Sequence, residues 1–366
     1  MKGSGRGMLR EWSSEYVFRR EDLWVVPVDD IPGEGSEEQS AARLQQDHVD
    51  DLIHRIRQSA DRLAADKPSR GDLKILSRTL RELRYAFKVF APYRNQRKVS
   101  VFGSARTQPH EAAYQQAVEF GRAMAELDWF VVTGAAQGIM EAGHVGAGRD
   151  RSMGLNIMLP FEQEANSVIA GDHKLVNMKY FFTRKLMFVK ECDGVVCLPG
   201  GFGTLDEALE VLTLLQTGKR DMVPVVLLDA PGGSYWKMLD NFFQEQLLKG
   251  GMIVPEDLYL YRMTSDYQEA VEEVTQFFRV YHSMRYVGDR LVLRLQEELS
   301  EAQLAELESQ FGDILKSGGL EQRGPLDAEA NEPELDHLSR LVFHFNRRSH
   351  GRLRMMIDQI NGRSRS

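Results

Sequence analysis

Five short apolar runs, each set off by stretches of helical periodicity, constrain this chain more than any other feature of its 366 residues. They are Val99–Phe102, Phe130–Thr133, Gly154–Leu159, Gly194–Leu198 and Val223–Leu228. Helical patterns lie between and after them, at His110–Glu126, Gly138–Gly148, Phe182–Glu191, Thr204–Gln216 and Tyr235–Lys249. Short strands that are apolar throughout are buried on both faces, and strands joined through helices run parallel. The expected fold is therefore α/β, a Rossmann-like doubly wound parallel sheet with helices on both faces. Ligands of such sheets bind beyond the carboxyl ends of the strands. Three loops follow strands at that edge: Gly103-Ser104-Ala105-Arg106, Gly134–Gly138 and Gly200–Thr204. Together they are expected to form one cleft.

The loop after Gly194–Leu198 reads Pro199-Gly200-Gly201-Phe202-Gly203-Thr204-Leu205-Asp206-Glu207. A glycine-rich turn from strand to helix points several backbone N–H groups at one place, an anion site that the helix dipole favours. It lacks the lysine of an NTPase phosphate loop, and Gly103–Arg106 lacks the G-x-G-x-x-G pattern of nicotinamide binding. What remains is a phosphate cradle beside two carboxylates, Asp206 and Glu207, which suggests chemistry on a phosphorylated substrate. Thr204-x-x-Glu207 also fits a capping box, and spacing alone leaves capping and catalysis both open for Glu207. Upstream, Arg184 shares a helical face with Phe181, Met187 and Phe188, so its guanidinium emerges against apolar surface.

Taken together, P-G-G-x-G-T-x-x-E and the preceding R-K-x-M of Arg184-Lys185-Leu186-Met187 resemble the Lonely Guy family, long misnamed lysine decarboxylases. The resemblance spans roughly residues 97–283. It implies a phosphoribohydrolase that cuts the N-glycosidic bond of a nucleoside 5′-monophosphate, AMP or an N6-modified, cytokinin-type AMP, without metal or other cofactor. Glu207 would be the catalytic acidic residue, with Arg184 holding glutamate and substrate in register through bidentate contacts. Gly200, Gly201, Gly203 and Thr204 would carry the phosphate, with Lys185 as a supporting charge. Asp206 stands where the family often has glutamate, and Thr213 matches a substrate-contact position. Family members are dimers or larger, with sites close to the dimer interface, so a homodimer or larger homo-oligomer is expected.

The Gly134-Ala135-Ala136-Gln137-Gly138 loop departs from the glycine triplet usual in the family. Alanine cannot adopt every backbone conformation open to glycine. Gly134 and Gly138 stay as binding positions, with Glu141 following them in the first turn of a helix. Gly103, Ser104 and Arg106 form the turn after the first strand. Asn156 sits in an apolar strand and needs a partner, ligand or backbone. Two rival functions stand against hydrolysis. A nucleotide-binding regulator would use the same cradle without cleavage, and an amino-acid decarboxylase would need a pyridoxal Schiff-base lysine in a setting not found here.

A net charge of −8 gives no electrostatic reason to expect nucleic-acid binding. The basic stretch from Arg347 to Arg365 reads as a solvated helix face and tail. Cys192 and Cys197 make neither a disulfide framework nor a metal set. No run approaches the ~20 apolar residues of a membrane span, and the N-terminal residues lack the apolar core of a signal peptide, so a cytoplasmic location is expected. The expected organisation is a polar, partly disordered lead-in (1–40), a helical segment (41–96) broken near Pro68-Ser69-Arg70-Gly71, the catalytic domain (97–283) and a small α/β module (284–366). In the last, strands are expected at Leu291–Leu295 and Leu341–Phe345, with helices at Ser300–Leu315 and Gly351–Ile360. The terminal segments are expected to pack on the catalytic domain or on a partner subunit.

Overall fold

The computed structural model describes residues 37–159 and 164–362, with side chains from residue 49 onward. Most of the expected lead-in (1–36), residues 160–163 and the basic end at 363–366 lie outside the described residues. Two helices open the described chain, α1 (Glu37–Asp66) and α2 (Arg70–Phe90). Pro68 cannot continue a helix, and Ser69 starts the next one through a capping box. Its Oγ accepts from the Asp72 N–H at 3.2 Å, and its own N–H donates to the Asp72 carboxylate at 3.0 Å.

The central part then alternates strand and helix. Its elements are β1 (Lys98–Phe102), α3 (Ala112–Glu126), β2 (Phe130–Thr133), α4 (Ile139–Ala147), β3 (Ser152–Ile157) and β4 (Leu175–Met178). There follow α5 (Phe181–Glu191), β5 (Gly194–Cys197), α6 (Phe202–Gln216), β6 (Val225–Leu228), α7 (Tyr235–Phe242), β7 (Arg262–Thr264) and α8 (Tyr267–Gln276). The strands form one sheet in the order β4-β3-β2-β1-β5-β6-β7, every pair parallel. The five expected strands are all present. The sheet also holds β4 and β7, two edge strands whose partly exposed residues give no continuous apolar run.

Strand residues alternate between two cores. Val99, Val101, Val131, Val196 and Val226 pack with α3, α4 and α8. Phe102, Val132, Leu155, Val195 and Val225 face the other way, toward α2, α5, α6 and α7. The chain winds outward from β1 to β4 and then returns to lay β5 against the other side of β1, with Val99 opposite both Val131 and Gly194. The crevice beyond β1 and β5 is the topological switch point of the sheet, where doubly wound folds take their ligands.

The C-terminal part contains β8 (Tyr281–Val287), β9 (Arg290–Leu295), α9 (Glu301–Phe311), β10 (Leu315–Arg323), β11 (Ser339–Phe345) and α10 (His350–Ile360). Its antiparallel sheet runs β10-β11-β9-β8. The boundary expected at 283/284 falls inside β8. Leu291, Leu293, Phe343, Met356 and Ile357 join one continuous core with Phe277, Tyr281 and Leu215 of the central part. The helix expected to reach Leu315 stops at Phe311, because Leu315 begins β10.

Candidate active site

The loops after β1, β2 and β5 meet at the switch point through backbone contacts. The Ser104 N–H donates to the Pro199 carbonyl at 3.1 Å, and the Ser104 carbonyl accepts from the Ile139 N–H, first in α4, at 3.0 Å. Gly138 has φ 67°, and a Cβ there would stand 2.7 Å from the Ala105 carbonyl carbon. Both its conformation and its space exclude a side chain. Gly200 is equally close to the first loop, since a Cβ on it would lie 2.9 Å from the Ser104 nitrogen. The Tyr235 hydroxyl, from α7, donates to the Gly200 carbonyl at 2.7 Å and pins the turn from behind. Gly201 and Gly203 are exposed, with nothing near their Cα among the described residues, and the Phe202 ring is 93% exposed between them.

The start of α6 decides the competing roles of Glu207. The helix begins at Phe202, with Gly201 as its cap and no side-chain cap, one half-turn earlier than the sequence pattern suggests. The N–H groups of Thr204 and Leu205 both turn to the Gly201 carbonyl, at 3.1 and 3.2 Å. Glu207 therefore lies in the second turn, beyond the reach of a capping box, and the capping reading is overturned. Its side chain is 5% exposed and faces Arg184, with 3.8 Å between Oε1 and Nη2. That distance is an ion pair without a hydrogen bond, so the bidentate contact expected of Arg184 toward Glu207 is not made. Burial pushes the Glu207 carboxyl up to about 7, against the pull of Arg184 and Lys185.

Arg184 rises from α5 between the rings of Phe181 and Phe188, 5.0 and 6.0 Å from their centroids. Its Nε–H is buried with no hydrogen-bond partner among the described residues. Burial lowers its pKa while Glu207 and Asp206 pull the other way, but a guanidinium stays charged. A Cβ on Gly134 would come 3.5 Å from Arg184 Nη1 and 2.8 Å from the Met140 sulfur. Glycine at that position leaves the guanidinium its place under the β2 loop.

The remaining expected residues divide sharply. Lys185 does not stand ready for a phosphate, because its ammonium lies between Asp206 and Glu210 at 2.8 and 2.7 Å. Asp206 is exposed and engaged in that pair. Thr213 is exposed and donates back to the Leu209 carbonyl at 2.8 Å. Six residues past Glu207, it lies ~9 Å along α6 and about 240° around it, away from the pair. The Asn156 amide donates to the Asn177 side chain across the β3–β4 register, at 2.9 Å, rather than to backbone. Arg106 is exposed, its N–H bonded to Ser104 Oγ at 3.1 Å. Glu141 faces Tyr114 of α3, whose phenol is shifted up by burial and by that carboxylate.

Ala135 adopts φ 59°, the left-handed conformation natural to the glycine it replaces. Asn166 holds it there. The Asn166 N–H donates to the Ala135 carbonyl at 2.8 Å and its amide to the Ala136 carbonyl at 3.1 Å. His144 braces Asn166 from behind, between Thr133 and the Met153 carbonyl, and burial pulls it down to about 4, so it is neutral. Asn166, His144 and Tyr235 carry no motif, which is why sequence reasoning assigned them no role in shaping the cleft. Among the described residues no group of three or more His, Cys, Asp or Glu is placed to hold a metal ion.

With this geometry in hand, the chain was compared with known proteins. Residues 133–274, which contain Gly134, Arg184 and Glu207, match the family model described as possible lysine decarboxylase. A probable cytokinin riboside 5′-monophosphate phosphoribohydrolase of Oryza sativa subsp. japonica is 27% identical over 186 residues, 50% of this chain and 73% of that protein. A cytokinin riboside 5′-monophosphate phosphoribohydrolase of Arabidopsis thaliana is 34% identical over 94 residues, 26% of this chain and 42% of its own length. Among solved structures, the molybdenum cofactor carrier protein of Chlamydomonas reinhardtii aligns with 50% of this chain and 98% of its own at 20% identity, with a TM-score of 0.36, from which nothing about function follows. The matched region, the P-G-G-F-G-T turn and the facing Arg184 and Glu207 lead to one statement: residues 133–274 of this chain are similar to the Lonely Guy, lysine decarboxylase-like family, and the chain carries additional segments on both sides of that region.

Proposed function

We propose that the chain hydrolyses the N-glycosidic bond of a nucleoside 5′-monophosphate, AMP or an N6-modified AMP, releasing the free base and ribose 5-phosphate. The observation that carries this reading is the buried Arg184–Glu207 pair, 3.8 Å apart, with an unpartnered Nε–H on one side and a carboxyl near 7 on the other. Buried arginine donors without a partner among the described residues also occur on Arg340 and Arg354, but there the carboxylate is hydrogen-bonded by its arginine. Arg184 and Glu207 close no hydrogen bond with each other and lie next to the anion-binding turn, which leaves both with bonding capacity for a ligand. A carboxyl that titrates near neutrality suits general acid–base work.

Cleavage of the glycosidic bond leaves the bonding pair on the base and positive charge on the sugar, as in glycoside hydrolysis. Ionised Glu207 stabilises that charge and takes a proton from the attacking water, whose oxygen bonds to C1′; that proton passes on to the departing base, directly or through solvent, and Glu207 returns to its ionised form. Arg184 orients the carboxylate and the sugar. The 5′-phosphate rests on the backbone of Gly200–Thr204, at the start of α6. No cofactor enters the reaction. The cytokinin-type substrate follows the plant relatives, which are cytokinin riboside 5′-monophosphate phosphoribohydrolases. A homodimer or larger assembly, a cytoplasmic location and the absence of a nucleic-acid partner belong to the same reading.

Incubation of the purified chain with AMP and other common monophosphates, with released base measured by chromatography, tests it. Base release with AMP and poor turnover of adenosine are expected. Equal turnover of adenosine and AMP would sink the phosphate assignment. Tight binding of monophosphates with no base released would make the chain a nucleotide-binding regulator instead.

A further inference from the structure

Helices α1 and α2 carry apolar residues that the described residues leave largely uncovered. On α1 the stripe is Val49, Leu52, Ile56 and Leu63, and none of the described residues from 49 to 66 is buried. On α2 it is Leu73, Leu76, Leu80, Leu83 and Phe87, at alternating intervals of three and four, with Leu83 partly turned onto the chain's own core. Leu73, Leu76, Leu80 and Phe87 are 41, 46, 54 and 40% exposed. This spacing is the seam of helices that pack lengthwise. Each stripe runs over fifteen residues (49 to 63, 73 to 87), fourteen helical steps or ~21 Å of helix.

We infer that these seams bind a second copy of this chain, the two helices of one copy packing against the same two helices of the other. Three observations choose that partner. The seams are of equal length and are joined by only three residues, 67–69, yet neither covers the other within one chain. The exposed large apolar residues of the two seams, with Ile53 beside them, leave roughly 540 Å² of apolar surface in water, taking ~200 Å² per fully exposed large side chain. That is at the upper end of the largest patch of a typical monomer, about 300–600 Å² and often functional. With somewhat over half of an interface apolar, it matches the ~800 Å² that each partner gives to a standard interface. Two equal seams also meet the self-complementary geometry of a two-fold contact, closing a four-helix arrangement.

The other face of α2 is firmly anchored. Glu82, 5% exposed, accepts from the Lys179 N–H at 2.8 Å, from the Thr183 hydroxyl at 2.8 Å and from Arg78 Nε at 2.7 Å. The seam therefore stands on the element that holds the start of α5, the helix of Arg184.

Sedimentation of the full chain tests the inference. Wild type should run at no less than twice 41.7 kDa, and the double variant Leu76→Glu/Leu80→Glu at half the wild-type mass. Both side chains are half exposed, so glutamate there leaves the chain's own core alone. A monomeric wild type, or a variant of unchanged mass, overturns the inference. A second measurement covers a variant that fails to fold. Cys192 and Cys197 are buried, so Leu80→Cys should form an intermolecular disulfide under mild oxidation, and exposed Glu301→Cys should not. Cross-linking no faster at Leu80 than at Glu301 also overturns it. Neither readout depends on base release, so this inference and the proposed reaction fail separately.

Discussion

Of the buried arginine–glutamate sets among the described residues, two have carboxyls that move in opposite directions. In the cleft, Glu207 faces Arg184 at 3.8 Å with no hydrogen bond between them, and burial pushes its carboxyl up to about 7. In the C-terminal sheet, Glu329 is fully buried between Arg294 and Arg340, with Nε–O distances of 2.8 and 3.2 Å, and also accepts from the Leu326 N–H at 3.1 Å. Burial pushes the Glu329 carboxyl up too, but those donors outweigh it and hold the carboxyl below its usual range. The residue types are the same, and the number of closed hydrogen bonds differs. The bonds that Glu329 accepts make the outer cluster a clasp that ties the segment around 326–332 to β9 and β11, even with Arg340 Nη2 unpartnered among the described residues. The open Arg184–Glu207 contact leaves the cleft pair with bonding capacity for a ligand.

The largest expected effect falls on the clasp. Glu329→Gln leaves Arg294 and Arg340, both 0% exposed, without their shared charge, and breaking a buried ion set in this way costs about 3–5 kcal/mol. Urea unfolding should show that loss, while base release below the unfolding transition stays at the wild-type rate. A loss under ~1 kcal/mol, the range of an exposed pair, would mean the clasp is not structural.

Glu207→Gln should do the reverse, dropping turnover by about 10²–10³ with the fold retained. Steady-state base release and circular dichroism on one preparation check both halves. Near-normal turnover would place the chemistry elsewhere.

The comparison sharpens with pH. The folded Glu207 value of about 7 lies above the ordinary 4.5, so the folded chain holds a proton that the unfolded chain releases between them. The stability this contributes is full below about 4.5 and gone above about 7. Glu207→Gln lacks the titration. Its stability relative to wild type should therefore improve from pH 5 to pH 8, by up to about 3 kcal/mol. Glu329, with its folded value lowered, contributes above its unfolded value and loses that contribution as pH falls through the folded one. Thermal melts across pH test both signs, and a Glu207→Gln stability that fell relative to wild type toward pH 8 would contradict the burial of Glu207.

The smallest effects concern the loops. Tyr235→Phe removes one hydrogen bond from behind Gly200, worth about 0.5–1.5 kcal/mol, and should raise KM for the monophosphate more than it lowers kcat. Ala135→Gly relieves a left-handed alanine, about 1–2 kcal/mol, and gives up a buried methyl of about 0.8 kcal/mol. Its melting point should move little, and a large loss would show that the methyl group, not the backbone, shapes the pocket.

Much of this molecule was legible before any coordinates. Val99–Phe102 and Phe130–Thr133 are mostly apolar because both faces of a central strand are covered, so composition alone marks them. Pro68 and Ser69 mark the break between α1 and α2 because ring geometry and capping are local. The P-G-G-F-G-T turn is likewise written in consecutive residues, and Arg184 and Glu207 each sit in a short local motif. The edge strands β4 and β7 were not legible, since half-exposed strands lack the apolar signature. Neither was β10, whose exposed Lys316-Ser317-Gly318-Gly319 reads as loop.

Other features depend on groups far apart in sequence. That Glu207 is not a cap follows from α6 beginning at Phe202. That Asn166, thirty residues after Ala136, holds the second loop follows from the packing of the segment after β3 against that loop. The partners of Lys185 and Asn156 are set by α6 and β4, not by their own neighbours in the chain. Local patterns encode elements and turns because those are decided by hydrogen bonds and sterics within a few residues. A carboxyl's pKa, an arginine's unpartnered donor and the exposure of the Leu73–Phe87 seam are sums over everything packed around them, and only the tertiary structure supplies those terms.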